Sequence, residues 1–561
     1  MESPGTGCAG SALRGDCEPA VTCASVTATR CFWGWGYEGA GLSDHDEDNL
    51  VERVRHVVRV APTPIAAPTP EEIRLAPSRL RPPTGLAPWC RVDDLDRAGH
   101  TYGKSFRDVV RALERRWDRP PDVVVRPPDE AGVAAVLDWA ARVGAVVIPY
   151  GGGSSVVGGV EAPADDDRPV ISLDTGELNQ VLEVDRVSRA ARIEGGVLGP
   201  SLEAQLRSYG VTLRHYPQSF EMSTLGGWIA TRSAGHYATL HTRIDDVVES
   251  IRAVTPSGAW ESRRVPSSGA GPSADRLWLG SEGILGVITS AWVRVQPRPQ
   301  YRASGVARFA TWRAGALAVR ALAQSGLWPA SCRLLDGREA ALSGAGVGDA
   351  HLLLVGVESS DHPVDYEMAR AREIIRDHGG QMSDDRVTGD ANDTNDAAVR
   401  WRSSFLRAPY QRDVFVRHGL IVETFETAVT WDRFDGFVDG VLTTAEAALR
   451  EVDAWPSLVT HRITHAYPDG AALYVTVLAP GHATGRLAQW DEVKGAVMAA
   501  VISGGGTVTH HHGVGRDHRR GYDDERPDLF AAQLAAAKRV VDPGAILNPG
   551  VLIDPATRRV R

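Results

Sequence analysis

The sequence predicts an α+β protein of two main domains, and three features of its 561 residues carry that expectation. A strand, helix, strand pattern over residues 123–150 runs directly into the glycine cluster GGGSS. Two more glycine-rich turns, STLGGWIATRSAG and GSEGILGVIT, follow before residue 300, and beyond about residue 301 glycines thin out while strands alternate with helices. Hydrophobic residues at 43% and charged residues at 24% are near globular averages, which excludes wholesale disorder. The balance of 61 Lys+Arg against 71 Asp+Glu, net −10, leaves no broad basic surface for nucleic acid. Lysine occurs only at Lys104, Lys494 and Lys538, so anion recognition falls to planar arginine forks, and a Walker-type lysine motif is absent.

In chain order, residues 1–90 are an N-terminal extension ending in a Pro-rich connector at 61–88. Its cysteines Cys8, Cys17, Cys23 and Cys31 lie among Gly, Ser, Thr and Ala without apolar period, and the stretch is expected to be a disordered or mis-started leader rather than a zinc knuckle. It lacks the apolar core of a signal peptide, and no run approaches about 18 apolar residues, so a cytoplasmic location is expected. Residues 91–300 form the first domain. There VVV at 123–125 is a buried strand, Val133, Val136, Leu137 and Ala140 mark one face of a helix over 129–142, Gly144 stops it, and AVVIPY at 145–150 is the next strand. Residues 301–520 form a cap-like substrate domain with strands LLLVGVE and AALYVTVLA, and 521–561 supply a helix and a Pro/Gly turn returning to the first domain.

Successive glycines let the backbone turn several N–H groups toward one anion with no Cβ in the way. Alone, GGG after a strand is a tight turn. The short hydroxyls beside glycine in separate segments, Ser154, Ser155, Ser223, Thr224, Thr231 and Ser233, favour one extended ligand with a diphosphate and a ring system. The G-x-G-x-x-G spacing of a nicotinamide domain is not met after Tyr150. The ordered set PYGGGSSVVGG, QSFEMSTLGGWIATRSAG and GSEGILGVIT resembles the FAD-binding domain of the vanillyl-alcohol oxidase and p-cresol methylhydroxylase superfamily. The resemblance implies the two-part FAD-binding domain of the p-cresol methylhydroxylase type with an α+β cap. It places the cofactor against Pro149, Tyr150, Gly151, Gly152, Gly153, Ser154 and Ser155; against Gln218, Ser219, Phe220, Glu221, Met222, Ser223 and Thr224; against Thr231, Arg232, Ser233 and Ala234; and against Glu282, Gly283, Ile284, Leu285, Gly286, Val287 and Ile288. Some relatives attach the flavin through a histidine directly after the first glycine turn. Ser154 and Ser155 stand there, so the FAD is expected to be non-covalent.

The cap carries THAYPDGAALYVTVL and SGGGTVTHHHGVGRDH. On extended backbone His510 and His512 would face one way and His511 the other, which leaves open a metal pair at i, i+2, neutral imidazoles acting as acids and bases, or a loop without function. Tyr474 by itself is an ordinary strand tyrosine. Taken together, RCFWGWG, PASCRLLD, QRD, ETFETAVTWDR, the Tyr474 strand and HHHGVG resemble the alkyldihydroxyacetonephosphate synthase family over nearly the whole chain. The resemblance implies that Tyr474 donates and accepts a proton, that His510, His511 and His512 are needed for activity, and that Arg333 and Arg412 support the site and bind substrate. It also implies a homodimer with peripheral membrane contact.

The function so implied is transfer: the acyl group of acyl-dihydroxyacetone phosphate is exchanged for a fatty alcohol, with the substrate carbon held on the flavin and no net redox change. The alternative is an FAD-dependent dehydrogenase or oxidase of a 2-hydroxy acid such as D-lactate or glycolate. Those relatives carry H-x-G-D-G-N-L-H and G-E-H-G-I-G, whose His and Glu help hold a metal. Here Tyr474 stands in place of the second His and His511 in place of Glu, so no metal is expected.

Overall fold

The computed structural model describes residues 29–554 apart from 238, 240–242, 347 and 383–396. The leader cysteines Cys8, Cys17 and Cys23 lie outside the described residues. Four strands, β1 (Cys90–Arg91), β2 (Val123–Val125), β3 (Val146–Tyr150) and β4 (Val170–Asp174), form a sheet in the order β1-β2-β4-β3. The helix Glu130–Val143 joins β2 to β3. Its start is fixed by the Asp129 side chain, which accepts from Gly132 N at 2.7 Å, and its end by Gly144 in the left-handed region at φ 66°. The strand, helix, strand unit read from the sequence is present, but its two strands are not neighbours: β4 lies between them and pairs with both in parallel.

The next seven strands are β5 (Val181–Asp185), β6 (Ala190–Glu194), β7 (Val211–Thr212), β8 (Val248–Thr255), β9 (Gly258–Glu261), β10 (Val287–Arg294) and β11 (Gln296–Pro297). Five make an antiparallel sheet in the order β5-β6-β10-β8-β9, and β7 pairs with β11. The cap is a seven-stranded antiparallel sheet of β12 (Tyr301–Phe309), β13 (Ser331–Leu335), β14 (His351–Ser359), β15 (Gln381–Met382), β16 (Leu420–Thr430), β17 (Leu458–Ala466) and β18 (Gly470–Pro480). Its order is β15-β12-β14-β13-β17-β18-β16.

Alternation along β18 divides the cap into a core side and a cavity side. Leu473, Val475 and Val477 enter the main apolar core, shared with helices Phe434–Glu451 and Arg486–Ser503, whereas Tyr474 and Thr476 line the cavity. Each such apolar side chain contributes about 1.5–3 kcal/mol on burial, which holds the register that aims Tyr474.

The C-terminal helix Asp528–Val541 packs back on the first domain. Buried Lys538 Nζ donates to Ile284 O at 2.7 Å, Leu547 O at 2.8 Å and Asp542 Oδ2 at 2.7 Å, and Leu547 bridges Val147 of β3. Removing one partner leaves the other charge buried without its ion, so Lys538→Met is expected to cost about 3–5 kcal/mol, measured by the shift of the urea unfolding midpoint.

Candidate active site

The cavity lies where the glycine turns of the first domain meet the inner face of the cap sheet. From the first domain it takes the Gly151–Ser155 turn, Ser223 and Thr224, Thr231, and Glu282 to Ile288 in part; from the cap it takes β16, β18 and the 511–512 turn. Of the proposed cofactor residues, Pro149 through Ser155, Gln218, Ser219, Ser223, Thr224, Thr231, Ser233, Glu282, Gly283, Gly286, Val287 and Ile288 line it. Phe220, Glu221, Met222, Arg232, Ala234, Ile284 and Leu285 do not: Phe220, Ile284 and Leu285 are in the apolar core, Arg232 pairs with Asp245 at 2.7 Å, and Glu221 accepts from Tyr410 Oη at 2.8 Å.

The turn fits a diphosphate. The backbone N–H groups of Gly152, Gly153, Ser154 and Ser155 donate to no described protein acceptor and border the cavity, and Gly153 takes φ 68° with Tyr150 Oη only 1.9 Å from where a Cβ would stand. An anion would satisfy these donors.

Glu426, in the middle of β16, organises the opposite wall. Its buried carboxylate accepts from three successive backbone amides, His510 N at 2.5 Å, His511 N at 2.9 Å and His512 N at 3.0 Å, and from the Thr509 hydroxyl. The backbone therefore bends around one anion instead of running extended, and the alternating directions expected from the sequence do not occur. His511 and His512 both reach the cavity, with Nδ1 atoms 3.2 and 3.6 Å from Glu426, while His510 turns away to Tyr467. Burial alone would raise the Glu426 pKa, but the imidazoles of His511 and His512 bring it well below the ordinary carboxylate value.

A second carboxylate holds the other half of this segment from the first domain. Glu282, at φ 46°, accepts from Val514 N and Gly515 N, both at 2.7 Å. With only two amides to offset its burial, its pKa rises to about 7.

Tyr474 sits between two charges in register: Glu426 is its partner on β16 and Arg462 its partner on β17. The Arg462 guanidinium lies 3.8 Å from the phenol ring centroid and pairs with Glu339. Burial pushes the Tyr474 pKa up and Arg462 opposes it. His511 and His512 have their rings 6.2 and 6.0 Å from that of Tyr474, and burial holds the His512 pKa down at about 3, so this ring is a neutral imidazole. Ring nitrogens of His465, His510 and His511 approach within 4.8 Å, a spacing open to a metal, but both nitrogens of His510 are already engaged, Nδ1 with His511 at 3.0 Å and Nε2 with Tyr467 Oη at 2.8 Å. His510 and His512 do not form the pair considered from the sequence.

The two arginines separate. Arg412 lines the cavity from the helix Ala397–Arg417, with Nε and Nη2 on Asp413 Oδ1 and Nη1 on Lys104 O. Arg333 is 1% exposed and does not line the cavity. It donates to Thr464 Oγ1 and His236 O, both at 3.0 Å, behind the aromatic wall of Trp401 and Phe405. Sequence reasoning missed Glu426, Arg462 and Trp35. The signal for the first two was a charged residue within a buried strand, ETFETAV and LVTHRITHA. Trp35 reaches the cavity because Gly34 and Gly36 allow the N-terminal segment to pass close to Asp413 and Tyr410.

With this geometry in hand, comparison with known proteins gives consistent relatives. A model of the FAD binding domain matches residues 121–262, and a model of the C-terminal domain of FAD linked oxidases matches 298–552. The alkyldihydroxyacetonephosphate synthase of Dictyostelium discoideum is 31% identical over 487 residues, covering 82% of this chain and 78% of that protein. A solved alkyldihydroxyacetonephosphate synthase superposes with TM-score 0.77 at 26% identity, over 93% of this chain and 98% of the other. p-Cresol methylhydroxylase with substrate bound shares the fold at TM-score 0.66 and 14% identity, over 92% of this chain and 98% of the other. The mitochondrial cytochrome D-lactate dehydrogenase of Arabidopsis thaliana matches at 25% identity, over 78% of this chain and 74% of that protein.

The two buried groups make opposite contributions to stability against pH. His512 is held near 3 when folded but takes a proton near ~6.5 when unfolded, so its stabilisation is complete above ~6.5 and is lost as pH falls toward 3. Glu282 is raised from ~4.3 to about 7, so its contribution is present below ~4.3 and is lost as pH rises through 7. His512→Asn should flatten the acid limb of unfolding free energy against pH, and Glu282→Gln the neutral limb, both read by urea titrations from pH 4 to 8.

Proposed function

The chain belongs to the alkyldihydroxyacetonephosphate synthase family, and on that premise we propose that it exchanges the acyl group of acyl-dihydroxyacetone phosphate for a fatty alcohol. It is an FAD-dependent enzyme. The observation that carries the reading is the row Glu426, Tyr474, Arg462 across three strands, with His511 and His512 beside it on the cavity wall.

The cofactor fits along the Gly151–Ser155 amides, with Thr224, Thr231 and Ile288 beside the remainder. Bound FAD supplies a ring nitrogen through which one C–O bond can be exchanged for another without net redox change. The protein does the rest. Tyr474 is placed to take and return the proton at the substrate carbon, and Arg462 against its ring stabilises the phenolate this requires. His512, neutral and buried, offers a hydrogen-bonding imidazole at the cavity, and His511 stacks beside the phenol. Among the described residues Arg412 and Arg462 are the arginines lining the cavity, and they supply cationic charge for the substrate phosphate; Arg333 supports the wall from behind. His510 acts from behind the two cavity histidines.

The reading includes non-covalent FAD, supported by Ser154 and Ser155 after the first glycine turn, and no catalytic metal, supported by the prior engagement of His510. It includes a cytoplasmic homodimer in peripheral contact with a membrane, supported by the lipid nature of both substrates.

Incubation of the purified holoenzyme with acyl-dihydroxyacetone phosphate and a long-chain alcohol should give the ether by mass detection; flavin bleaching by D-lactate without ether would favour the dehydrogenase instead. Tyr474→Phe should retain FAD and lower turnover by ~10²–10⁴-fold, and wild-type turnover in that variant would remove the proton-transfer role. Acid precipitation should leave the yellow colour in the supernatant, and a chelator should leave ether formation unchanged.

A further inference from the structure

We propose that His510 and Tyr467 form a proton relay through the cap wall, leading from the reaction cavity to the seam with the first domain at Asp246 and carrying out the proton that each turnover releases. The relay rests on the transfer activity proposed above. In that reaction the C–O bond to the acyl group breaks and a C–O bond to the alcohol oxygen forms. The alcohol loses its O–H proton, and near neutral pH the acid departs as a carboxylate, since carboxyl groups ionise near ~4.3. One proton per turnover must therefore leave a cavity walled by buried side chains.

The side chains supply a continuous path. His511 lines the cavity; its Nδ1 is 3.0 Å from His510 Nδ1; His510 Nε2 is 2.8 Å from the Tyr467 hydroxyl. The Tyr467 phenol faces Arg243, Asp245 and Asp246 of the first domain, of which Asp246 is exposed. His510 itself is 5% exposed and does not reach the cavity, so it can act on substrate only through His511. An imidazole with both nitrogens in one chain of hydrogen bonds passes a proton by accepting at one and releasing at the other. Here a proton arriving from His511 forms the Nδ1–H bond of His510, the Nε2–H proton moves to the Tyr467 oxygen, and the phenol proton passes to water at Asp246. Each step breaks one N–H or O–H bond and forms another, and tautomer exchange in the two rings resets the row without a net proton.

The surroundings favour this passage. The Glu426 clamp fixes the backbone of His510 and His511, and Arg243 Nη1 donates to His510 O at 2.6 Å, so the ring spacing is held. Arg243 is also the cation nearest the Tyr467 phenol and offsets part of its burial. His465 stacks on His510 with centroids 4.8 Å apart and holds the ring in place.

Tyr467→Phe tests the path, since it keeps the ring and the Trp431 Nε1 bond to the residue's carbonyl while removing the hydroxyl. In the holoenzyme the variant should keep its FAD and KM, lose at least about tenfold in kcat, show a larger solvent deuterium isotope effect on kcat, and recover with added imidazole. Unchanged kcat and isotope effect in an active preparation would overturn the relay. A second measurement needs no turnover: the His511 ring proton of nitrogen-15-histidine holoenzyme should exchange with D₂O more slowly in Tyr467→Phe, and equal exchange would overturn the relay as well. A wild-type protein that forms no ether would sink the transfer reading alone, because the exchange comparison still decides the relay.

Discussion

Everything in the catalytic wall depends on one anion. Glu426 gathers three consecutive amides and a hydroxyl, and that fixes where each histidine of the triplet points. A carboxylate inside a core is costly unless its lone pairs are filled, and charge-assisted bonds of about 1.5–3 kcal/mol each are what offset it. Glu282 is the informative contrast. It is equally buried and grips the next residues of the same segment, yet with two amides and no imidazole its pKa rises to about 7. The imidazoles beside Glu426 decide between them. One clamp stays charged over the working range and sets geometry; the other gains or loses its proton near neutrality, at the seam between the two domains.

The same accounting explains why the arginines differ in role. Arg333 is buried with neutral acceptors and two aromatic faces, and burial lowers its pKa to about 9. Arg462 has Glu339 as a counter-ion and lies against the Tyr474 ring at the cavity. Only the second can stabilise a transient phenolate at the cavity face, and its partner Glu339 is tied in turn by the Thr460 hydroxyl from the same strand.

How much of this was legible in the sequence follows from what periodicity can and cannot encode. The glycine turns, the helix over 130–143 with Gly144 behind it, and Tyr474 on an alternating strand are local signals, and they are found where the pattern puts them. The insertion of β4 between β2 and β3 is not local, and neither is the pairing of Tyr474 with Glu426 and Arg462, which depends on antiparallel register between residues 48 and 12 apart. The histidine directions failed for a specific reason: alternation holds on extended backbone, and the loop bends around Glu426 instead. A charged residue within a buried strand marks that something must neutralise it, without naming the partner.

Arg412 shows how the domains become interdependent through backbone contacts. Its Nη1 donates to Lys104 O, Lys104 N donates to Ser155 O at 2.6 Å, and Ser155 ends the glycine turn that cradles the diphosphate. On its other side Asp413 holds both the Arg412 fork and Trp35 N at 2.6 Å, from the N-terminal segment. The cation proposed to meet the substrate phosphate is thus positioned by the glycine turn, the cap helix and the N-terminal segment together. An anion that orders the glycine turn also orders the carbonyl that orients Arg412, so the proposed cofactor and substrate phosphate sites would stabilise each other through shared structure, with no direct contact between the two ligands required.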